Sequence, residues 1–521
     1  MNDDCTISGL LAGGDSRQLA IADVRGYGLT YGRLRSQIEQ TQEVLRKGGL
    51  GPDDTVGVVL RNSPETAAVL LALTSFCRVA PLNPNYTAAE FDFALRDLNA
   101  AAVVTTEDIS AAATSACRCE TGLILLKAAK SRVPAEYKLE IRRPLARTEC
   151  AWSAPKPGNV ALLLHTSGTT SRPKLVPLTQ HNLCLSSNSV VRVLQLAPED
   201  RSLTVMPLFH IHGIVAGLLA PIAAGGTVCC APGFQATRFF SWLDTVRPTW
   251  YTAVPTMHQA VLARARHNAA TLDWHCLRLI RSSSSPLYSS LWDELEATFG
   301  VPVLNAYGMT EAAHQIASVR LPGGACYRNT VGPSSGPEIA VLDSRSVPVP
   351  NGECGEIVLR GEQITRGYLQ PPEARSAFDG GWFHTGDEGR IGGDGLLTLT
   401  GRLKEIINSG GEKVSPYEVE EALLAHPGVA EAAVFAAPHR MLGEEVASAI
   451  VAREGFHIAE RDLLRMAGLR LARHKMPRRV LFVDAIPRGA TGKIQRAGLA
   501  AQLGLVHSDA REHAPDEHTR A

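Results

Sequence analysis

The sequence has no excess of charge of either sign. Lysine plus arginine and aspartate plus glutamate each number 52 in 521 residues, a formal net charge of zero. Nucleic-acid binding usually shows as a basic excess, so no nucleic-acid partner is expected. No apolar run is long enough to span a bilayer, so no membrane partner is expected either. The first residues, MNDDCTISGL, lack the basic stretch and apolar run of a secretion signal. The last residues, HTRA, are not the Ser-Lys-Leu peroxisomal address. The 11 cysteines are odd in number and scattered. Cys229 and Cys230 are adjacent, and Cys117 and Cys119 stand too close for a CxxC pair. That pattern argues against a zinc site or a disulfide framework and for reduced thiols, so the expected location is cytoplasmic. There is no internal repeat and no long low-complexity tract.

What is there is an ordinary globular balance, 45% hydrophobic and 20% charged, in a chain too long for one core. The first 400 residues alternate short apolar strands with helical patterns. Thr55–Leu60, AAVVTT, ALLLH, TWYTAV, LRLIRS and PVLNAY read as strands. A helix follows Ser63 as N-cap with Pro64 at its first position, and another carries Thr87 and Glu90 at capping-box spacing. Alternation of this kind predicts an α/β fold with largely parallel sheets, built as layered subdomains. The character changes near Gly401. A strand, a Gly-Gly turn and a helix with Ser415, Pro416 and Glu418 in a second capping box are followed by strands AEAAVFAAP and RRVLFVDAI. The expected division is a large N-terminal domain over 1–400, a small mobile α+β domain over 401–505, and a polar tail over 506–521.

The sharpest chemical signal is HTSGTTSRPK, His165–Lys174, after an apolar strand and before a helix expected near Thr179. Thr166, Ser167, Gly168, Thr169 and Thr170 offer backbone N–H groups and hydroxyls that suit the phosphates of a nucleotide, with Lys174 adding charge. It is not the GxxxxGK[ST] loop, and on composition alone a polar surface loop fits as well. Further strings follow in order: NAYGMTE (Asn305–Glu311), WFHTGD (Trp382–Asp387), GRLKEII (Gly401–Ile407) and PRGATGK (Pro487–Lys493). Together these resemble the adenylate-forming superfamily of acyl-CoA synthetases, luciferases and nonribosomal-peptide adenylation domains, over about residues 23–499.

The resemblance implies ATP-dependent activation of a carboxylic acid as an acyl-adenylate, then transfer to coenzyme A. It gives Tyr307 the purine, Thr310 a phosphate and Glu311 the Mg²⁺, a cation that wants oxygen ligands. Asp387 is a short acceptor for the ribose hydroxyls, with Arg402 beside the same ribose. Lys493 is the expected catalytic residue. It would stabilise the meeting of two anions as the carboxylate attacks the α-phosphorus, with Lys174 and His210 in support. Lys404 falls at the expected hinge, and the Gly410–Gly411 turn would face the thiol tunnel, where two glycines allow close backbone approach.

The acid pocket is expected between MPLFHIHG (Met206–Gly213), RSSSSPL (Arg281–Leu287) and AAHQ (Ala312–Gln315). Ser283, Ser284, His210 and His314 would make it small and polar. A long alkyl chain would leave those groups unpaired at roughly 1–3 kcal/mol each, so a short polar acid is expected. WYTAVPT (Trp250–Thr256), the serine-rich loop and His314 resemble the oxalate–CoA ligase branch of plants and fungi. Leu175 departs from that pattern by replacing a glycine, and SSSSPL is more polar than it. Two alternatives stay open. One is an adenylating enzyme that passes the acid to a carrier protein, an amine or another acceptor. The other is a non-catalytic nucleotide-binding homologue.

Overall fold

The computed structural model describes residues 5–129, 131, 133–144, 153–166, 173–369, 377–488 and 494–505. Ser167, Gly168, Thr169, Thr170, Lys493 and the polar tail fall outside the described residues. Among the described residues no helix is long and apolar enough to cross a membrane.

Two largely parallel sheets dominate the first 320 residues. One runs, in spatial order, Tyr137–Arg143, Gly122–Ala128, Ala102–Thr105, Thr55–Val59, Arg78–Pro81, Val160–His165 and Leu175–Thr179. The other runs His314–Ser318, Val303–Met309, Leu279–Ser283, Trp250–Ala253, Arg201–Thr204, Thr227–Cys230, Leu19–Asp23 and Gly28–Thr30. Only the outermost strands are antiparallel to their neighbours.

Helix Pro64–Thr74 touches both sheets, against Arg78–Pro81 on one side and Leu19–Asp23 and Thr227–Cys230 on the other. Its sequence explains the position. Ser63 accepts the N–H of Thr66 and Pro64 sits at the first turn, as expected. Ala67 to Leu73 are then apolar on every face and all buried, as a helix between two sheets requires. Each fully buried leucine there contributes about 1.5–3 kcal/mol, so a charge in place of Leu71 would break the layer.

A third, antiparallel sheet holds Glu338–Leu342, Gly355–Arg360, Phe378–Asp379, Trp382–Ile391 and Leu397–Arg402. Its last strand runs through the expected 400/401 division and pairs Arg402 with Asp387. The three sheets make up the larger unit, and the last strand of the third ends at Arg402.

The remaining residues form the α+β unit, with strands Ile407–Ser409, Glu412–Val414, Val429–His439, Gly443–Ala452 and Arg479–Phe482. Strand Val429–His439 shows the period of two. Val434 faces the core shared with helices Pro416–Leu424 and Glu460–Ala467, while Ala433 and Phe435 face the core shared with Leu499.

Two local expectations need correction. Ser415 does cap the N–H of Glu418, but no return bond completes the box, because the Glu418 carboxylate takes Lys475 Nζ at 2.7 Å. The expected strand RRVLFVDAI is ordered as a strand only over Arg479–Phe482, the stretch that pairs with Gly443–Ala452. The box at Thr87 and Glu90 is complete, and helix Gln180–Leu194 starts after Thr179 as expected.

Candidate active site

The carboxyl ends of the parallel strands meet on one side of the second sheet, the side where open α/β sheets take ligands. Trp250–Ala253 brings Thr252, Leu279–Ser283 leads into Ser284, and Val303–Met309 brings Tyr307. The chain then reverses through Thr310, Glu311 and Ala312 into His314–Ser318, pairing Met309 with His314. The reversal needs Gly308, since a Cβ there would lie 1.8 Å from the His314 carbonyl oxygen. Around it, Ser284 (φ +74°), Ala313 (φ +49°) and His314 (φ +95°) hold left-handed backbone without being glycine. Such strain gathers at functional sites, held there by surrounding bonds.

At the end expected to take the nucleotide, the buried Tyr307 hydroxyl donates to Asp387 Oδ2 at 2.6 Å, and Arg402 Nε pairs with Asp387 Oδ1 at 2.9 Å. Burial, then the neighbouring Asp387 carboxylate, pushes the Tyr307 phenol well up, while Asp387 raises the Arg402 guanidinium. Thr310 is half-buried, and the Glu311 carboxylate accepts the Tyr368 hydroxyl at 2.8 Å. Lys174 Nζ lies 4.6 Å from the Tyr368 ring centroid, so Tyr368, not anticipated from the sequence, joins two expected residues. Thr166 N donates to the Lys174 carbonyl at 2.9 Å. Leu175 is buried in the core against the first sheet, which explains an apolar side chain at that position.

Where the acid is expected, the structure has a connected polar cluster. His212, not His210, lies at its centre. Its Nε2 is 2.6 Å from Thr252 Oγ1 and its Nδ1 is 3.0 Å from Ser284 Oγ. Its ring stacks on His314 at 4.9 Å. Arg281 reaches His212, Thr252, His314 and Gln315. His210 is half-buried as the N-cap residue of the short helix Ile211–Ile214. Ser283 points elsewhere and donates to the Ala306 carbonyl at 3.0 Å, so of the two expected serines only Ser284 joins the cluster. Burial, assisted by the Arg281 charge, holds both His212 and His314 well below the ordinary imidazole range. Arg281 and His212 stood inside strings quoted for other residues. The signal for Arg281 was a charge inside the apolar strand LRLIRS.

In the small unit, Lys404 is exposed in the turn after Arg402, where Glu405 N donates to the Arg402 carbonyl at 2.8 Å. Gly410 and Gly411 form the turn between Ile407–Ser409 and Glu412–Val414, at φ +64° and +94°. A Cβ on Gly410 would sit 2.8 Å from Leu442 Cδ2.

A family model described as AMP-binding enzyme matches residues 12–369, and one described as AMP-binding enzyme C-terminal domain matches residues 418–493. The chain belongs to the AMP-binding enzyme family. The oxalate–CoA ligase of Arabidopsis thaliana is 39% identical to it, covering 95% of the chain and 98% of that protein. The sulfoacetate–CoA ligase of Cupriavidus necator is 37% identical, covering 91% and 92%. Among solved structures, ATP-bound MatB from Rhodopseudomonas palustris matches with a TM-score of 0.85 at 29% identity, covering 96% of the chain and 99% of that chain. This AMP-binding enzyme is accordingly an acid–CoA ligase, which activates a carboxylic acid with ATP and passes it to coenzyme A. A non-CoA acceptor is not favoured, because the relatives at 37–40% identity are CoA ligases. Magnesium suits the donor set of the AMP-binding enzyme. Among the described residues no group of three His, Cys, Asp or Glu forms a metal cage, and Mg²⁺ is ordinarily held by one or two carboxylates with phosphates and water.

Proposed function

We propose that the acid is short and carries a second anionic group, in the class of oxalate and sulfoacetate. The observation behind this reading is Arg281. It is fully buried beside the pocket, and its hydrogen-bond partners among the described residues, His212, Thr252, His314 and Gln315, are all neutral. A buried cation without a counter-ion among the described residues is costly, and an anion held nearby, even one not touching it, offsets that cost. A long apolar chain would instead displace paired groups, at roughly 1–3 kcal/mol each.

The residue roles follow the chemistry. Tyr307 lays its ring against the purine. Asp387 accepts the ribose hydroxyls. The backbone from Thr166 to Thr170, with Thr310 and Lys174, takes the phosphates. Glu311 supplies the protein's oxygen to Mg²⁺, which neutralises phosphate charge when bound. The substrate carboxylate forms a bond to the α-phosphorus as the bond to pyrophosphate breaks, and Lys493 offsets charge on the oxygens involved. The small unit then turns about Lys404 and presents Gly410 and Gly411 to the thiol. The thiol takes the acyl carbon, and AMP leaves.

Pyrophosphate release with ATP and Mg²⁺ over a panel of short acids, with and without coenzyme A, tests this. The expected result is release confined to small dianionic acids, with thioester formed when coenzyme A is present. Preference for a monoanionic aliphatic acid would overturn the substrate reading.

A further inference from the structure

Arg281 stands behind the imidazoles of the acid pocket. It is completely buried, the one charged residue of strand Leu279–Ser283, and it reaches the pocket only through its neighbours. An arginine side chain donates and cannot accept, so each atom it bonds must present a lone pair. His314 Nε2 lies 3.1 Å from Arg281 Nη2, which puts the His314 proton on Nδ1. His212 Nε2 lies 3.3 Å from Nη1, where a ring N–H would confront the guanidinium. That nitrogen therefore accepts the Thr252 hydroxyl at 2.6 Å, and His212 Nδ1–H donates to Ser284 Oγ at 3.0 Å. Having accepted, Ser284 keeps its own O–H to give. Gln315 is oriented by the same group. Its Oε1 takes Nη2 at 2.7 Å, and its Nε2 is buried without a partner among the described residues.

We infer that Arg281 is a positioning residue that locks His212 and His314 as neutral Nδ1–H tautomers, so that the wall of the acid pocket offers donors only and selects an anionic group. The inference rests on the proposed reading of this pocket as the site of a short dianionic acid. A neutral imidazole left to itself takes either tautomer, and the wrong one would turn a lone pair toward a carboxylate. Burial draws the Arg281 guanidinium down to about 9, which leaves it charged at neutral pH. The other titratable groups that face His212 are His314, His258 and His210, and all of them, like Arg281, oppose its protonation. The donor wall thus keeps one form across neutral pH.

The direct test is long-range proton–nitrogen correlation NMR on the full-length enzyme labelled with [¹⁵N]histidine, with the two rings assigned through His212→Asn and His314→Asn. Both rings are expected to show a protonated Nδ1 and a lone-pair Nε2, unchanged from pH 5.5 to 8. A protonated Nε2 on either ring would overturn the inference without touching the substrate reading. In Arg281→Gln the acid KM is expected to rise roughly tenfold with kcat changed far less. The ratio of variant to wild-type kcat/KM should climb as pH falls from 7.5 to 5.5, because released imidazoles protonate and attract the acid. Arg281→Lys, which keeps a charged donor, should restore most of the KM and the flat ratio. An unchanged KM with a flat ratio in Arg281→Gln also overturns the inference. The expected tautomers together with no release by any short dianionic acid would instead overturn the substrate reading alone.

Discussion

His258→Asn isolates one buried imidazole and gives its contribution to acid stability. His258 is completely buried on helix Pro255–Ala265, with its Nδ1 3.1 Å from the Tyr251 hydroxyl. Burial lowers it to about 3, against about 6.5 in the unfolded chain. The unfolded state therefore binds a proton that the folded state refuses, and stability present above pH 6.5 is lost as pH falls. One such group costs about 1.4 kcal/mol between pH 7.5 and 5.5, and continues to cost down to the folded value. His212 and His314 are held low in the same way and add to the loss in the wild type. The measurement is urea unfolding at pH 7.5, 6.5 and 5.5, followed by tryptophan fluorescence, since Trp250 and Trp292 are buried in the same core. The variant begins less stable, having lost the Tyr251 bond. The gap to wild type should then narrow by about 1.4 kcal/mol at pH 5.5. A gap independent of pH would mean that the folded protein accepts the proton at His258, and the reasoning would be wrong.

Three other substitutions probe the site. Asp387→Asn removes the charge that pairs with Arg402 at 2.9 Å, so the KM for ATP should rise by about tenfold or more while that for the acid holds; equal effects on both would refute a nucleotide role. Ser284→Leu removes the partner of His212 Nδ1 and fills the polar end of the pocket, so activity should fall more for a small polar acid than for an aliphatic one; an unaltered order of preference counts against the placement of the pocket. Lys493→Ala should cripple formation of the acyl-adenylate and leave ATP binding largely intact, because the charge acts mainly in the transition state; an unchanged rate of adenylate formation removes Lys493 from catalysis.

The fold was legible where local chemistry and periodicity agree. Ser63 with Pro64, Thr87 with Glu90, and the apolar runs at Thr55–Val59 and Val303–Met309 each carry their own start signal and period. Legibility failed where a distant partner decided. Glu418 has the right spacing for a capping box, yet Lys475, 57 residues on, takes its carboxylate. The site shows the same division. Motif strings pointed to Tyr307, Asp387, Arg402, Glu311 and Lys174, which the fold gathers into two groups joined through Tyr368 and the reversal at Gly308. Ser283 and Ser284 look alike in SSSSPL, but Ser283 closes the strand and donates to the Ala306 carbonyl, while Ser284, just past the strand at φ +74°, meets His212.

The contacts of the small unit bear on how it could turn about Lys404. Arg496 is nearly buried and pairs with Glu405 at 2.9 Å and with the fully buried Glu420 at 2.8 Å, its guanidinium 4.9 Å from the Tyr417 ring centroid. Stripping a partner from a buried charge costs several kcal/mol. These pairs therefore bind the turn after Lys404, helix Pro416–Leu424 and the chain leaving Lys493 into one body. Contact with the larger unit is of another kind. The Tyr288 hydroxyl donates to Glu420, and Ser289 N donates to Glu421 at 3.1 Å. If that contact opens, Glu420 keeps Arg496 and still accepts Val434 N at 2.8 Å, so no buried charge is left alone. Separation costs these hydrogen bonds, the one from Ser415 to the Thr400 carbonyl and the exposed Arg453–Glu294 pair at 3.7 Å, all of which water can replace, while the buried ion pairs of Arg496 travel with the moving unit. The proposed delivery of Lys493 for one half-reaction and its withdrawal for the next would be served by this distribution, with buried ion pairs kept within the unit and exchangeable contacts across the joint.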